Sequence, residues 1–167
     1  MRILVTGGAG YIGSITVKYL LDQGHEVVVF DNLVYGHKES VTCPLVVGNL
    51  EDKQFLFNSF ENQKFDGVIH FAAYALAGES MKNPYKYLYS NIAAATNLLE
   101  TMSRYNVTNI VFSSTCAVYG NADYVPVDEK HATHPENPYG ESKRMVEKII
   151  EWYGKIKKIN YLILRYF

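Results

Sequence analysis

The chain has 167 residues, 48% hydrophobic and 20% charged, with a formal net charge of −1. This is long enough for one domain with a real core, and the near-neutral charge argues against a nucleic-acid or membrane partner, as does the lack of an apolar run of membrane-spanning length. Two cysteines, Cys43 and Cys116, make neither a disulfide framework nor a metal-ligand spacing, so a reduced, cytoplasmic setting without a bound metal is expected; with the first strand starting at once, no signal peptide is expected either.

Ile3-Leu4-Val5 reads as a buried strand, and the periodicity from Ile12 to Leu21 as the helix after it. Between them runs Thr6-Gly7-Gly8-Ala9-Gly10-Tyr11-Ile12-Gly13-Ser14, with glycines at 7, 10 and 13. Gly7 allows a sharp turn out of the strand. Gly10, lacking a Cβ, allows backbone to approach a pyrophosphate, and Gly13 allows the new helix to pack closely. The first helical N–H groups, from Tyr11 onward, then face the phosphates with the positive end of the helix dipole behind them. A glycine-rich structural turn is the bland alternative.

Gly24 ends this helix, and Val27 to Phe30 reads as a second buried strand with Asp31 at its C-terminal end. A carboxylate there can accept hydrogen bonds from the adenosine ribose and repels a 2′-phosphate, which favours NAD over NADP. Asp31 can equally cap the turn Asp31-Asn32-Leu33. Leu45 to Val47 is the third strand, leaving through Gly48-Asn49-Leu50, and Glu51 to Phe60 is helical, with Phe55, Leu56 and Phe60 at helical spacing. Gly67 to Phe71 is the fourth strand, running into the small residues Ala72-Ala73, which leave room for a ligand. His70 reads as a packed strand-end histidine.

Pro84 to Tyr105 reads as a long helix with tyrosines at its start and Tyr87, Ile92, Ala95, Leu98, Leu99 and Met102 on one face. Asn109 to Phe112 is the fifth strand and enters the hydroxyl cluster Ser113-Ser114-Thr115 at the sheet edge where ligands bind. Asn121 to Pro138 reads as a polar loop, with His131 and His134 as solvated surface. Tyr139 to Lys157 is a second long helix whose lysines, Lys143, Lys148, Lys155 and Lys157, with Lys158 just beyond, mostly suggest a solvated face. Asn160 to Tyr166 is the sixth strand, followed by Phe167. This alternation predicts an α/β fold, a doubly wound parallel sheet forming one NAD-binding Rossmann domain over 1–167, in strand order 3-2-1-4-5-6.

Thr115, Tyr139 and Lys143 can meet at the C-terminal sheet edge. Tyr139 and Lys143 are four apart, on one helix face. A free phenol has a pKa of about 10 and is a poor base at neutral pH; a nearby ammonium and an oxidised nicotinamide would stabilise its phenolate. Thr115 would hydrogen-bond the alcohol being oxidised.

These stretches resemble the extended short-chain dehydrogenase/reductase superfamily and, within it, the UDP-glucose 4-epimerase family. The likeness rests on Thr6–Ser14, Asp31-Asn32-Leu33, His70-Phe71-Ala72-Ala73 with Gly78-Glu79-Ser80, Phe112–Gly120, Tyr139–Lys143 and Leu164-Arg165-Tyr166-Phe167. It implies an NAD-dependent isomerase that interconverts UDP-galactose and UDP-glucose through a transient 4-keto sugar. Tyr139 would be the base, Thr115 would orient the hydroxyl, and Lys143 would hold the nicotinamide ribose and depress the tyrosine pKa. Cofactor contacts are implied at Gly7, Gly10, Tyr11, Ile12 and Gly13, and at Asp31, Asn32, Leu33 and Gly36. The remainder are Asn49, Leu50, Phe71, Ala72 and Ala73, with Ser90, Ser113, Tyr139, Lys143 and Phe167. The nucleotide-sugar 4,6-dehydratases, close relatives of that family, carry an Asp-Glu pair after the threonine; Cys116 and Ala117 stand there instead, which argues against elimination.

Three departures concern cofactor contacts. Asn49 replaces an aspartate, Ala75 a lysine found in some members, and Ser90-Asn91 an Asn-Asn pair. The family pattern also continues past Phe167 into a substrate-contacting asparagine and a C-terminal domain that grips the nucleotide sugar, so the 167 residues alone are expected to be weakly active or inactive. A homodimer through the helices near 84–105 and 139–157 is a further implication. The alternatives are a non-catalytic NAD-binding module and another nucleotide-sugar-modifying member of the superfamily.

Overall fold

A computed structural model describes all 167 residues, Met1–Phe167. Six strands alternate with helices: β1 (Arg2–Thr6), α1 (Tyr11–Asp22), β2 (Glu26–Asp31), β3 (Leu45–Val47), α2 (Lys53–Phe60), β4 (Gly67–His70), α3 (Ala77–Ser80), α4 (Pro84–Arg104), β5 (Asn109–Thr115), α5 (Pro138–Lys157) and β6 (Asn160–Tyr166). The sheet order is β3-β2-β1-β4-β5-β6 and every pairing is parallel. The order reverses between β1 and β4, which opens a crevice beyond their C-terminal ends.

Strand alternation divides the core between two faces. Leu4, Val28, Phe30, Val68, Ile110 and Phe112 face the larger cluster, where Leu56, Phe60, Leu98, Leu99, Met102, Val146 and Ile150 of α2, α4 and α5 meet them. Ile3, Val5, Val27 and Val29 face α1 through Val17. On this α1 side Ile69, Val111 and Leu162 stand in register across β4, β5 and β6; Leu162, on the edge strand, is 55% exposed.

The helix starts are set by local chemistry. Asn137 Oδ1 accepts from Gly140 N at 2.8 Å, and Pro138 follows at the first helical position of α5. A Cβ on Gly140 would lie 2.6 Å from Ala117 O. Glycine there lets the first turn of α5 press against the short 3-10 turn Cys116–Val118 that follows β5. Tyr139 is thereby delivered beside Thr115.

Two surface readings are corrected. His131 is 4% exposed. Its Nε2 accepts from Asp123 N at 2.9 Å, its Nδ1 pairs with Ala132 O at 2.7 Å, and its ring lies between Tyr119 and Tyr124. The loop folds around it because the imidazole satisfies two backbone groups at once. Lys143 is 3% exposed, because that face of α5 turns onto β5 while Lys148, Lys155, Lys157 and Lys158 keep to the outer side.

Candidate active site

The glycine turn builds one end of the crevice. Gly7 has φ +71°, and a Cβ there would lie 2.6 Å from Ala72 N, on the exit of β4. A Cβ on Gly13 would lie 2.1 Å from Gly7 O. Gly10 meets only Gly7 O, at 3.4 Å, so its remaining side is open. No side chain caps α1, and the N–H groups of Tyr11, Ile12 and Gly13 find no acceptor in the chain. Three free donors at a helix N-terminus suit an anion.

Asp31 is 7% exposed and lies against this turn. Its Oδ2 accepts from Ala9 N at 3.0 Å and its Oδ1 from Leu33 N at 2.8 Å. It therefore caps its own turn and ties it to the glycine loop, with lone pairs left for further donors. The loop after β2 folds back: His37 N donates to Ala9 O at 3.0 Å, and a Cβ on Gly36 would lie 2.9 Å from Asp31 Oδ1. Asn49 Oδ1 accepts from Glu51 N at 3.0 Å, which fixes the β3 exit. Asn97 of α4 holds the same exit, donating to Leu50 O at 3.0 Å.

A cleft of about 160 Å³ runs along this edge. It gathers Gly7, Gly10, Asp31, Asn32 and Gly36 with Asn49, Leu50, Phe71, Ala72, Ala73 and Ser90. Tyr11, Ile12, Gly13, Leu33, Ser113, Thr115, Tyr139, Lys143 and Phe167 lie outside its lining; Phe167 is 83% exposed and stacks on Tyr119. Tyr35 and Tyr74, to which no sequence motif points, also line the cleft, as does Asn91 of the Ser90-Asn91 pair. Asn91 Oδ1 accepts from Tyr74 N at 2.8 Å, and its Nδ2 donates to Tyr74 O at 3.0 Å and Ser142 Oγ at 2.9 Å. Its place one turn after Tyr87 on the buried face of α4 agrees with the signal from that pair.

Thr115, Tyr139 and Lys143 converge from β5 and α5. Thr115 Oγ1 accepts from Ala117 N at 3.1 Å. Burial pushes the Tyr139 phenol up; the Thr115 hydroxyl beside it works the other way, and the Cys116 thiol adds to the rise. Lys143 Nζ donates to Ser113 O at 2.8 Å and sits 4.8 Å from the centre of the Phe112 ring. Burial brings its pKa down to about 7, against the pull of the Glu147 carboxylate. Lys143 is not among the groups that move the phenol. The phenol is raised because desolvation outweighs the one local hydrogen bond; the depression expected of an ammonium together with an oxidised nicotinamide concerns the loaded site.

Glu147 is 2% exposed. It accepts from Arg165 at 3.0 and 2.7 Å and from the Ser114 hydroxyl, clamping α5 to β5 and β6. His70 pairs with Thr6 Oγ1 at 2.7 Å and stacks on Phe112. Burial, followed by repulsion from Lys143, lowers its pKa to about 3, so it is a neutral packed group, as its strand-end position suggested.

Residues 3–167 match the family described as "NAD dependent epimerase/dehydratase family". A UDP-glucose 4-epimerase of Streptococcus mutans is 50% identical over 171 positions, and one of Lacticaseibacillus casei 46% over 169; each alignment takes in 100% of this chain and 51% of the relative. The crystal structure of UDP-glucose 4-epimerase from Brucella ovis in complex with NAD superposes with a TM-score of 0.97 at 40% identity, covering 99% of this chain and 51% of that one. The chain thus spans about half the length of the relatives it matches.

Proposed function

The chain belongs to the NAD dependent epimerase/dehydratase family, and from that premise we propose that it is the cofactor-holding, acid–base half of a UDP-glucose 4-epimerase acting on UDP-galactose and UDP-glucose. The observation that carries this reading is that Thr115, Tyr139 and Lys143 come together from β5 and α5 at the same C-terminal edge of the sheet along which the cleft runs. The fit to NAD rests on three features: unpaired N–H groups at the start of α1 for the pyrophosphate, glycines where a Cβ would close the approach, and a buried Asp31 carboxylate for the ribose hydroxyls.

Bound NAD supplies the acceptor that takes a hydride from the sugar carbon and returns it. Tyr139 takes the proton of the sugar 4-hydroxyl. With its pKa raised by burial, it needs added positive charge to do so at neutral pH. Thr115 Oγ1 orients the same hydroxyl. Lys143, whose Nζ donates to Ser113 O, would bond the nicotinamide ribose and, once protonated, would add positive charge near Tyr139. Binding energy from the nucleotide end of the substrate would come from residues matching the other half of the relatives.

One observation favours a second reading, a dinucleotide-binding module without turnover: burial pushes the Tyr139 phenol up, away from the phenolate the reaction needs. The test loads the 167-residue chain with NAD, adds UDP-galactose and follows the near-ultraviolet absorbance of reduced nicotinamide. The expected result is NAD binding with a flat trace. The band should emerge when the second half of the Streptococcus mutans relative is supplied, and vanish in Tyr139→Phe with NAD binding retained. Robust epimerisation by the 167 residues alone contradicts the division of labour. A band that survives Tyr139→Phe contradicts the assigned base, and no band under any condition favours the module.

A further inference from the structure

Three tyrosines, Tyr85, Tyr87 and Tyr89, open α4, and the acid–base chemistry uses none of them. Tyr85 and Tyr89 stack on each other at the surface, ring centroids 5.3 Å apart. Tyr87 is buried and its hydroxyl donates to Glu79 Oε2 of α3 at 2.6 Å. Lys86 reaches the same carboxylate and, beside it, two tyrosines of the cleft wall. Its Nζ donates to Glu79 Oε1 at 2.7 Å and to Tyr35 Oη at 3.2 Å, and lies 4.4 Å from the centre of the Tyr74 ring. Tyr35 and Tyr74 both line the cleft and meet edge-on, 6.0 Å apart.

The two rings are held differently. Tyr74 is fixed through its backbone by Asn91, in both directions. Tyr35 is 53% exposed and sits on the loop between β2 and β3. Its hydroxyl has Lys86 as its partner. Lys86 is anchored in turn by Glu79, with side chains 24% and 35% exposed. An exposed ion pair by itself contributes little. Here the ammonium binds a carboxylate, a phenol and an aromatic face together, and so joins three separate segments at the rim of one cleft.

We propose that Lys86 is a positioning residue for the cofactor: it holds Tyr35 against Tyr74 as the outer wall of the dinucleotide cleft. The inference rests on the reading that the cleft takes NAD. A loop already held in its closed position loses less freedom on binding, so the gain is read as slower release. Lys86 acting directly as a cation for the pyrophosphate would give a different pattern, because the Tyr35 hydroxyl would then be irrelevant.

The test measures NADH release by stopped-flow fluorescence in the wild-type chain, Lys86→Met, Tyr35→Phe, the double variant and Lys86→Arg. Lys86→Met should speed release about tenfold, equivalent to about 1.4 kcal/mol. Tyr35→Phe should speed it about threefold, since it removes the hydrogen bond and keeps the ring, a loss of about 0.7 kcal/mol. In the Lys86→Met background Tyr35→Phe should add nothing, and Lys86→Arg should restore slow release. Melting temperatures without NADH should match across the set. Unchanged release in Lys86→Met overturns the proposal, and so does a Tyr35→Phe change that has no effect while Lys86 is present or that multiplies with Lys86→Met. A wild-type chain that binds no NADH overturns the functional reading itself, and the wall with it.

Discussion

Replacing Glu147 by glutamine tests how the site is supported. The carboxylate is 2% exposed and takes both Arg165 contacts, at 3.0 and 2.7 Å, as well as the Ser114 hydroxyl. Glutamine keeps the volume and one acceptor, but leaves the guanidinium without its counter-charge. Breaking a buried pair costs about 3–5 kcal/mol. Arg165 retains 24% side-chain exposure, so the lower figure applies, about 3 kcal/mol. For a chain of this length each kcal/mol moves the melting temperature by about 2–4 °C, giving a fall of roughly 6–12 °C by calorimetry. Glu147 also holds the Lys143 pKa up against burial. In Glu147→Gln it should drop below about 7, which lysine-selective NMR titration would detect. A melting temperature within about 2 °C of wild type, or a Lys143 titration that stays put or rises, would refute the reasoning.

Four further expectations follow from the same geometry. Gly13→Ala sets a Cβ 2.1 Å from Gly7 O, backbone that cannot yield, and should cost about 3 kcal/mol in urea unfolding and abolish NAD binding. Lys143 is lowered to about 7 in the fold from an ordinary value of about 10.4; the unfolded chain binds the extra proton, so this group makes stability rise with pH between those values, and Lys143→Met should remove the rise, and with it the reduced-nicotinamide band expected when the second half of the relative is supplied. His70 folds with a pKa of about 3 against about 6.5 unfolded, so stability should fall as pH drops through that window, less steeply in His70→Gln by denaturant titration at each pH. Calorimetric titration should find NADP binding at least about a hundredfold more weakly than NAD, because the Asp31 carboxylate repels a 2′-phosphate, with the gap narrowing in Asp31→Asn.

The glycine turn, the strand order and the meeting of Tyr139 with Thr115 were legible because each is local or topological. Spacing in the Gly7–Gly13 segment dictates one turn geometry, and alternation of strand and helix leaves few ways to wind a sheet. Groups whose role depends on what folds over them were not. His131 is polar in a polar loop, and only the tertiary placement of Tyr119 and Tyr124 makes it a core residue. Lys143 and Lys148 look alike in the sequence, yet one is nearly dry and the other is solvated. Glu147 meets Arg165 across 18 residues, and Lys86 meets Tyr35 across 51, pairings that no periodicity announces.

The account depends most on NAD occupying the cleft between β1 and β4, and amide NMR of the labelled 167-residue chain during an NAD titration tests it directly. Saturable shifts should concentrate at Gly7–Gly13, Asp31–Gly36, Asn49-Leu50 and Phe71–Ala73, with weaker ones at Tyr139 and Lys143. Shifts that do not saturate, or that gather on other faces of the fold, would contradict it.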